Sequence, residues 1–445
     1  MIHKRSIKEK LLKGGAWAFS GKVVTAFTGL AVNALLARLL PPEELGVYFL
    51  AFSLVLFMAV VAQLGLTQSI VRLVAESMAI NRPKRAHLAV LWTLRLAALA
   101  ILGVSCLFAF GGGAWIANYF FHSEGLSQVV GLVAVWTVVI AFQQIMAEIY
   151  RGFHDIRLAT IFGGLVTGLL TMIIFFAFWM LEWNSDLDEI IFFSIAAGAS
   201  SVALSSLMLW KKISVLPLPI GNEINVLEIL HLSWPLWISG LMVFVVLQAD
   251  IWVVGYFLED VDVALYGAAL RIVTLLLITT SVLYSFLPPI IAEMSVNKEI
   301  RKLQAILCSV AFGNSFIVFP AFMLLVLFPE FTLSLVYGDY YIQGAFVLSA
   351  LSIGLFFNVL TGIRGYVLMM TGHEKTQMVI SIVGAGINIL FCSIGAVSMG
   401  INGVAIGALF GTIIQCVLEV IAVKRLVGVW TFATPLYIKQ FNINL

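Results

Sequence analysis

Residues 33–72, NALLARLLPPEELGVYFLAFSLVLFMAVVAQLGLTQSIVR, decide how this chain folds. Between Leu45 and Leu66 there is no Asp, Glu, Lys or Arg, and a helix over that run has the roughly 20 apolar residues needed to cross hydrocarbon. The PPEE turn before it stops one helix and starts the next. Proline is tolerated in the first helical turn, and carboxylates there meet the positive end of the helix dipole. The stretch therefore reads as the end of one span, a tight turn and a complete second span.

Working outward, similar apolar runs fall at 14–39, 45–66, 87–110, 127–150, 158–181, 189–210, 230–257, 264–292, 303–328, 343–370, 377–398 and 401–423. Of 445 residues, 62% are hydrophobic and 11% charged, with a mean hydropathy of +1.07. Soluble domains carry about 25% charged residues, so water cannot be the solvent for this surface. The expectation is an all-α polytopic membrane protein with about 12 transmembrane helices. No loop is long enough for a separate catalytic domain. The apolar run behind the N-terminus continues to about Leu40 with no small-residue cleavage site, which argues against a cleaved signal peptide. Cys106, Cys308, Cys392 and Cys416 all sit inside apolar runs without CxxC or Cys/His spacing, and read as packing residues.

Charge supplies the orientation. With the N-terminus placed in the cytoplasm, 20 of the 25 Lys and Arg fall on the cytoplasmic side, and the outer loops hold one cation, Arg38, against 12 of the 23 acids. The positive-inside rule then predicts two cytoplasmic termini and an even number of spans in the cytoplasmic membrane.

The chain also resembles itself. ARLLPPEELGVYFLAF (37–52) aligns with GYFLEDVDVALYGAAL (255–270) at a shift of 218, matching Tyr48 with Tyr266 and Glu44 with Asp262. YRGFHDIR (150–157) aligns with MTGHEKTQ (370–377) at a shift of 220. Six helices per copy make the repeat parallel, related by a pseudo-two-fold along the membrane normal. The expected organisation is an amphipathic cytoplasmic N-terminus (1–13), an N-lobe (14–210), an inter-lobe linker (211–228), a C-lobe (229–423) and a cytoplasmic tail (424–445).

Residues 33–72, together with LSWPLWISGLMVFVVLQADIWVVGYFLEDVDVALYGAALRI (232–272), resemble the polysaccharide transporter branch of the MOP exporter superfamily, the group of Wzx-type O-antigen flippases. The resemblance runs through the whole chain as a pattern of small, apolar and turn residues. It implies two six-helix lobes facing a central cavity. It also implies movement of a polyprenyl-pyrophosphate-linked oligosaccharide across the cytoplasmic membrane, with other polysaccharide-assembly proteins as partners.

Charges inside spans are costly and mark cavities, partners or interfaces. Lys22 lies about eight residues into the first span, ~12 Å at 1.5 Å per residue. With Thr25, Gly29 and Asn33 it forms one polar or small stripe. Either this stripe lines a cavity and Lys22 meets a phosphate, or Lys22 snorkels to the interface. Arg95 and Arg364 carry the same two readings. If all three cations face a cavity, they meet an anionic head group on the cytoplasmic side. Asp250 and Arg271 fall at matching depth on consecutive helices. They form a structural ion pair, or Asp250 is a proton- or sodium-coupling carboxylate that changes partner during transport. Gln144, Glu148 and Arg151 share one face at the inner end of the fourth span, as a gate or an i,i+3 pair. The six His lack metal-ligand spacing, so neither metal nor cofactor is expected, and no nucleic-acid partner. Interior charge is four cations (Lys22, Arg95, Arg271, Arg364) against Asp250, which suits an anionic lipid-linked substrate. The alternatives are a MOP-type exporter of small amphiphiles, expected to favour interior acids, and a membrane enzyme, expected to need a large outer loop.

Overall fold

The computed structural model describes residues 2–217 and 224–434. Side chains of the 1–13 segment, residues 218–223 of the linker and residues 435–445 of the tail lie outside the described residues. Among those described, helices account for all regular structure.

The helices are α1 (Ile2–Leu39), α2 (Pro42–Gln63), α3 (Leu66–Ala79), α4 (Pro83–Leu107), α5 (Val130–Gly152), α6 (Ile156–Thr160), α7 (Val166–Met180), α8 (Leu187–Ser214) and α9 (Val226–Phe257). They continue as α10 (Asp260–Val273), α11 (Ile278–Val296), α12 (Ile300–Leu327), α13 (Pro329–Tyr337), α14 (Ala345–Thr361), α15 (Arg364–Met370) and α16 (Glu374–Leu426). Ten helices are long and apolar enough to cross a membrane. One of them, α16, is broken at Gly400 (φ 60, ψ −142) into two spans, and α9 adds a further apolar helix of 32 residues. Twelve spans result, and the protein is a multi-pass membrane protein. Its exposed side chains include Phe110 (90%), Trp210 (77%) and Val397 (76%), an apolar exposure that only lipid makes stable.

The chain divides into two compact units, 2–244 and 245–434 within the described residues. This division by packing lies inside α9, whereas the division read from sequence lies in the polar stretch before it. The cause is the first half of α9, which is held by unit 1. Ser233 Oγ donates to Ser69 Oγ at 2.7 Å, and Trp237 Nε1 donates to the carbonyls of Val60 and Val61 at 3.2 and 3.1 Å. Between α2 and α3 the chain turns through Leu64 and Gly65 in the left-handed region. A Cβ on Gly65 would lie 2.3 Å from the Ser233 carbonyl oxygen, so only glycine lets α9 come this close.

Unit 1 is centred on Ile70, Val74, Val90, Ile145 and Ile149, with Tyr150 Oη donating to the Ser205 carbonyl at 2.7 Å. Unit 2 gathers Leu287, Leu303, Leu307, Val367 and Val423, and also Val429 of the segment after α16. That segment is docked: Trp430 N–H donates to Gln304 Oε1 at 3.1 Å and Ala433 N–H to the Leu360 carbonyl at 2.9 Å. The repeat is visible in the helix starts. Pro42 and Asp260 open α2 and α10, Ile156 and Glu374 open α6 and α16, and both pairs are 218 residues apart.

Two features depart from the sequence reading. The run 343–370 is not one helix: it breaks at Gly362 (φ 74), so Arg364 starts a new short helix rather than sitting inside a span. The polar stretches after the second and ninth runs hold the short helices α3 and α13.

The two halves of α16 fold back with almost no space between them. A Cβ on Gly403 would lie 2.0 Å from the Gly395 carbonyl oxygen. Gly403→Leu is expected to lower stability by at least the ~1–3 kcal/mol of an overpacked core. A thermal melt in detergent unchanged from wild type would contradict this close packing.

Candidate functional site

Three polar groupings stand out in the spans, one in unit 1 and two in unit 2.

In unit 1, α1 carries the stripe singled out from sequence. Thr25 Oγ1 donates to the Gly21 carbonyl at 2.8 Å and Asn33 Nδ2 to the Gly29 carbonyl at 2.7 Å. Both side chains thus donate to their own helix, which leaves the Thr25 lone pairs and the Asn33 carbonyl oxygen as acceptors for a neighbour or water. A Cβ on Gly29 would meet nothing within 4 Å, so the stripe is open at its middle. Lys22 is exposed and close enough to Arg151 of α5 for their charges to repel. Arg151 pairs with Glu148 one turn away, which makes a cluster with net positive charge. Gln144 is turned inward instead, accepting from Gln63 Nε2 of α2 at 2.7 Å. Arg95 is exposed on α4 and lies 5.1 Å from the centroid of the Trp92 ring on the same helix. This is a cation–π contact, and its recorded partner is Trp92 rather than Lys22.

In unit 2, Arg364 is not a cavity cation. It is 5% exposed, and its Nε lies 2.6 Å from Glu419 Oε2 of α16, near enough to pair although the N–H is not aimed along the contact. The rest of the guanidinium is well supplied. Its terminal nitrogens donate to Thr361 Oγ1 at 2.7 Å, the Gly362 carbonyl at 3.0 Å, the Asn358 carbonyl at 3.2 Å and Cys416 Sγ at 2.8 Å. Glu419 Oε1 accepts from Gln377 Nε2 at 2.8 Å and Gln415 Nε2 at 3.2 Å. The carbonyls left over at the α14–α15 break are thus consumed by one side chain. The sequence reading singled out Arg364 but not Glu419. Its pairing with Arg364, 55 residues away, has no local signature.

Asp250 of α9 also departs from expectation. Its Oδ2 accepts from Tyr266 Oη of α10 at 2.8 Å and its Oδ1 from the Ile251 amide at 3.0 Å. The six ion pairs between described residues include no Asp250–Arg271 contact. The α9–α10 hairpin brings Asp250 to the Tyr266 phenol, five residues before Arg271, and that phenol is the donor it uses. Arg271 acts on Tyr337 of α13. Burial pushes the Tyr337 phenol well above its ordinary range, and the Arg271 guanidinium draws it part of the way back. Cys392 lies near Asp250 and directs its Sγ to Asn388 Oδ1 at 3.2 Å, so this thiol does more than pack.

A family model described as "Polysaccharide biosynthesis protein" matches residues 35–346. The chain belongs to this polysaccharide biosynthesis family. No curated protein sequence matches it, but solved structures share its fold. An inward-facing multidrug resistance MATE family transporter of the MOP superfamily has a TM-score of 0.76 at 14% identity, covering 93% of this chain and 98% of that one. An outward-facing form of a MATE family transporter of the MOP superfamily gives 0.64 at 14% identity, covering 95% and 96%. The Vibrio cholerae MATE transporter VcmN, in mutant form, gives 0.64 at 16% identity, covering 98% and 100%. The fold is therefore that of the MOP superfamily transporters. The family match contains the Asp250–Tyr266 pair, while Lys22 and the Arg364–Glu419 pair lie outside it.

Removing one member of a buried pair strands the other charge, at a cost of roughly 3–5 kcal/mol, whereas replacing both with apolar residues costs far less. Arg364→Met is therefore expected to lower thermal stability strongly, and Arg364→Met combined with Glu419→Leu to recover much of the loss. Additive losses in the double variant would contradict the pairing.

Proposed function

We propose that this polysaccharide biosynthesis family member is a flippase, not an enzyme. In this reading it moves a polyprenyl-pyrophosphate-linked oligosaccharide across the cytoplasmic membrane by alternating access, with both termini in the cytoplasm. The observation that carries this reading is the approach of two exposed cations, Lys22 of α1 and Arg151 of α5, beside the half-buried Glu148. Two cations from different helices are held within repelling distance, a state that an anion bridging them relieves. A pyrophosphate is such an anion. Lys binds it as a point charge and Arg as a two-pronged donor. Thr25, Asn33 and the open Gly29 continue the same helix, a surface that admits a hydrated glycan without stranding polar groups. Arg95, held by Trp92 alone among its recorded contacts, is a second exposed cation for the same class of substrate. Membrane lipid and other polysaccharide-assembly proteins are the partners of this reading.

Energy coupling is assigned to Asp250. Its recorded partners are hydrogen-bond donors with no positive charge, so an incoming proton or small cation can exchange with the Tyr266 hydroxyl. Arg364 and Arg271, which are engaged inside unit 2, are left out of the substrate path.

The test is a purified protein in liposomes containing a fluorescent lipid-pyrophosphate oligosaccharide, with its accessibility followed in each leaflet. A hydrogen bond to a charged group contributes about 1.5–3 kcal/mol, so Lys22→Gln is expected to slow flipping about tenfold or more at equal membrane abundance. Asp250→Asn is expected to remove the response to an imposed ion gradient. No protein-dependent exchange of the lipid, with cationic drugs moved instead, would replace the flippase reading by the small-amphiphile exporter.

A further inference from the structure

Helices α1 and α7 run side by side, tightly at one end and apart at the other. A Cβ on Gly21 would lie 2.2 Å from Thr160 Cγ2 of α6, the short helix that precedes α7, and one on Gly168 of α7 would lie 3.2 Å from Thr28 Cγ2. Beyond Thr28 this close packing stops. A groove of about 400 Å³ opens, lined by Ala31 and Ala34 of α1 and by Ile173, Phe176 and Trp179 of α7. Arg38 stands at its far end beside Trp179, exposed, with its Nη1 donating to the Ala34 carbonyl at 2.7 Å. The groove walls are apolar and half exposed, with Ile173 at 59% and Phe176 at 50%, so the space belongs to a hydrocarbon chain rather than to water. Trp179 and Trp183 mark the head-group level, where tryptophan collects.

The rim at that level carries both signs. Glu43 and Glu44 lie in the first turn of α2, and Glu44 stands against the Leu187 amide beside Asp186 and Asp188. Glu189 accepts from Trp183 Nε1 at 3.0 Å. The α1–α2 and α7–α8 turns thus share one rim, with a cation at the groove mouth and carboxylates in both turns. A purely anionic head group would satisfy Arg38 but face this field of acids. A head group with a phosphate and a primary ammonium complements both.

We propose that this groove is a binding site for an aminophospholipid of the phosphatidylethanolamine type. One acyl chain lies between α1 and α7, the phosphate meets Arg38, and the ammonium faces the carboxylate rim. The site stands whether or not the protein is a flippase, because neither Lys22 nor Asp250 takes part.

The experiment is native mass spectrometry of the full-length protein released from nanodiscs containing equal amounts of phosphatidylethanolamine, phosphatidylglycerol and phosphatidylcholine. Wild type is expected to retain phosphatidylethanolamine severalfold over the other two. Arg38→Gln should remove most of that preference and Arg38→Lys should keep it. Ala34→Phe, which fills the groove, should reduce retention severalfold. Ile173→Trp, on the lipid-facing wall of α7, gives the same readout if Ala34→Phe fails to fold. Equal retention of the three lipids, preference for phosphatidylglycerol, displacement by polyprenyl phosphate at equal concentration, or full retention in a folded groove-filling variant would each overturn the assignment.

Discussion

In hydrocarbon a polar group has no water to fall back on, and every unsatisfied donor or acceptor costs several kcal/mol. This constraint explains most of what the polar side chains of this protein do. Thr25, Asn33, Ser194 and Ser352 all donate to carbonyls four residues back on their own helices. The break between α14 and α15 exposes carbonyls that one guanidinium collects. A polar residue in a span is therefore, by default, a solved local problem. The informative ones are the charged groups that stand exposed, namely Lys22, Arg95 and Arg38, of which Arg38 also donates to the Ala34 carbonyl at 2.7 Å, and the carboxylate of Asp250, which accepts from Tyr266 and from the Ile251 amide.

Two acids of unit 2, the buried Glu419 and the half-buried Asp250, illustrate opposite solutions. Glu419 receives a guanidinium and two amides, an arrangement that fixes α14, α15 and both halves of α16 to each other. Such a network contributes geometry more than net stability, because desolvation offsets much of the attraction. Asp250 receives one phenol and one amide. The first arrangement is closed. The second leaves room for a change of proton or ion, and carboxylates of this kind in membrane helices mark relays.

How much was legible in the sequence follows from the same physics. A span needs a long uncharged run, so most of the spans could be read to within a few residues, and the Gly400 break was already implied by two runs separated by a short turn. The helices α3 and α13 were not legible, because 14 and 9 residues are too short for the span criterion. The Gly362 break was hidden in an unbroken apolar run. For the polar groups, depth was readable but partner was not. Asp250 and Arg271 were read as a pair from their spacing, yet the carboxylate accepts from Tyr266, five residues before Arg271 on the same helix. The stripe on α1 was readable by its spacing, while Arg151 approached it from a helix more than a hundred residues later.

The repeat sharpens the meaning of these positions. At the 218-residue shift, Tyr48 corresponds to Tyr266, and both are buried. Tyr266 holds Asp250, whereas Tyr48 stacks with Phe52 at 6.4 Å and packs on Trp136 at 5.5 Å. The position matching Asp250 in the first half is Val32, so its carboxylate has no counterpart there. The position matching Lys22 in the second half is Gly240, where an added Cβ would meet nothing within 4 Å. One half thus carries a cation and the other a carboxylate, on a shared framework. The two copies of the framework thus differ in the sign of the charge they carry at these positions, and that difference is what the proposed reading of an anionic substrate and a coupling cation draws on.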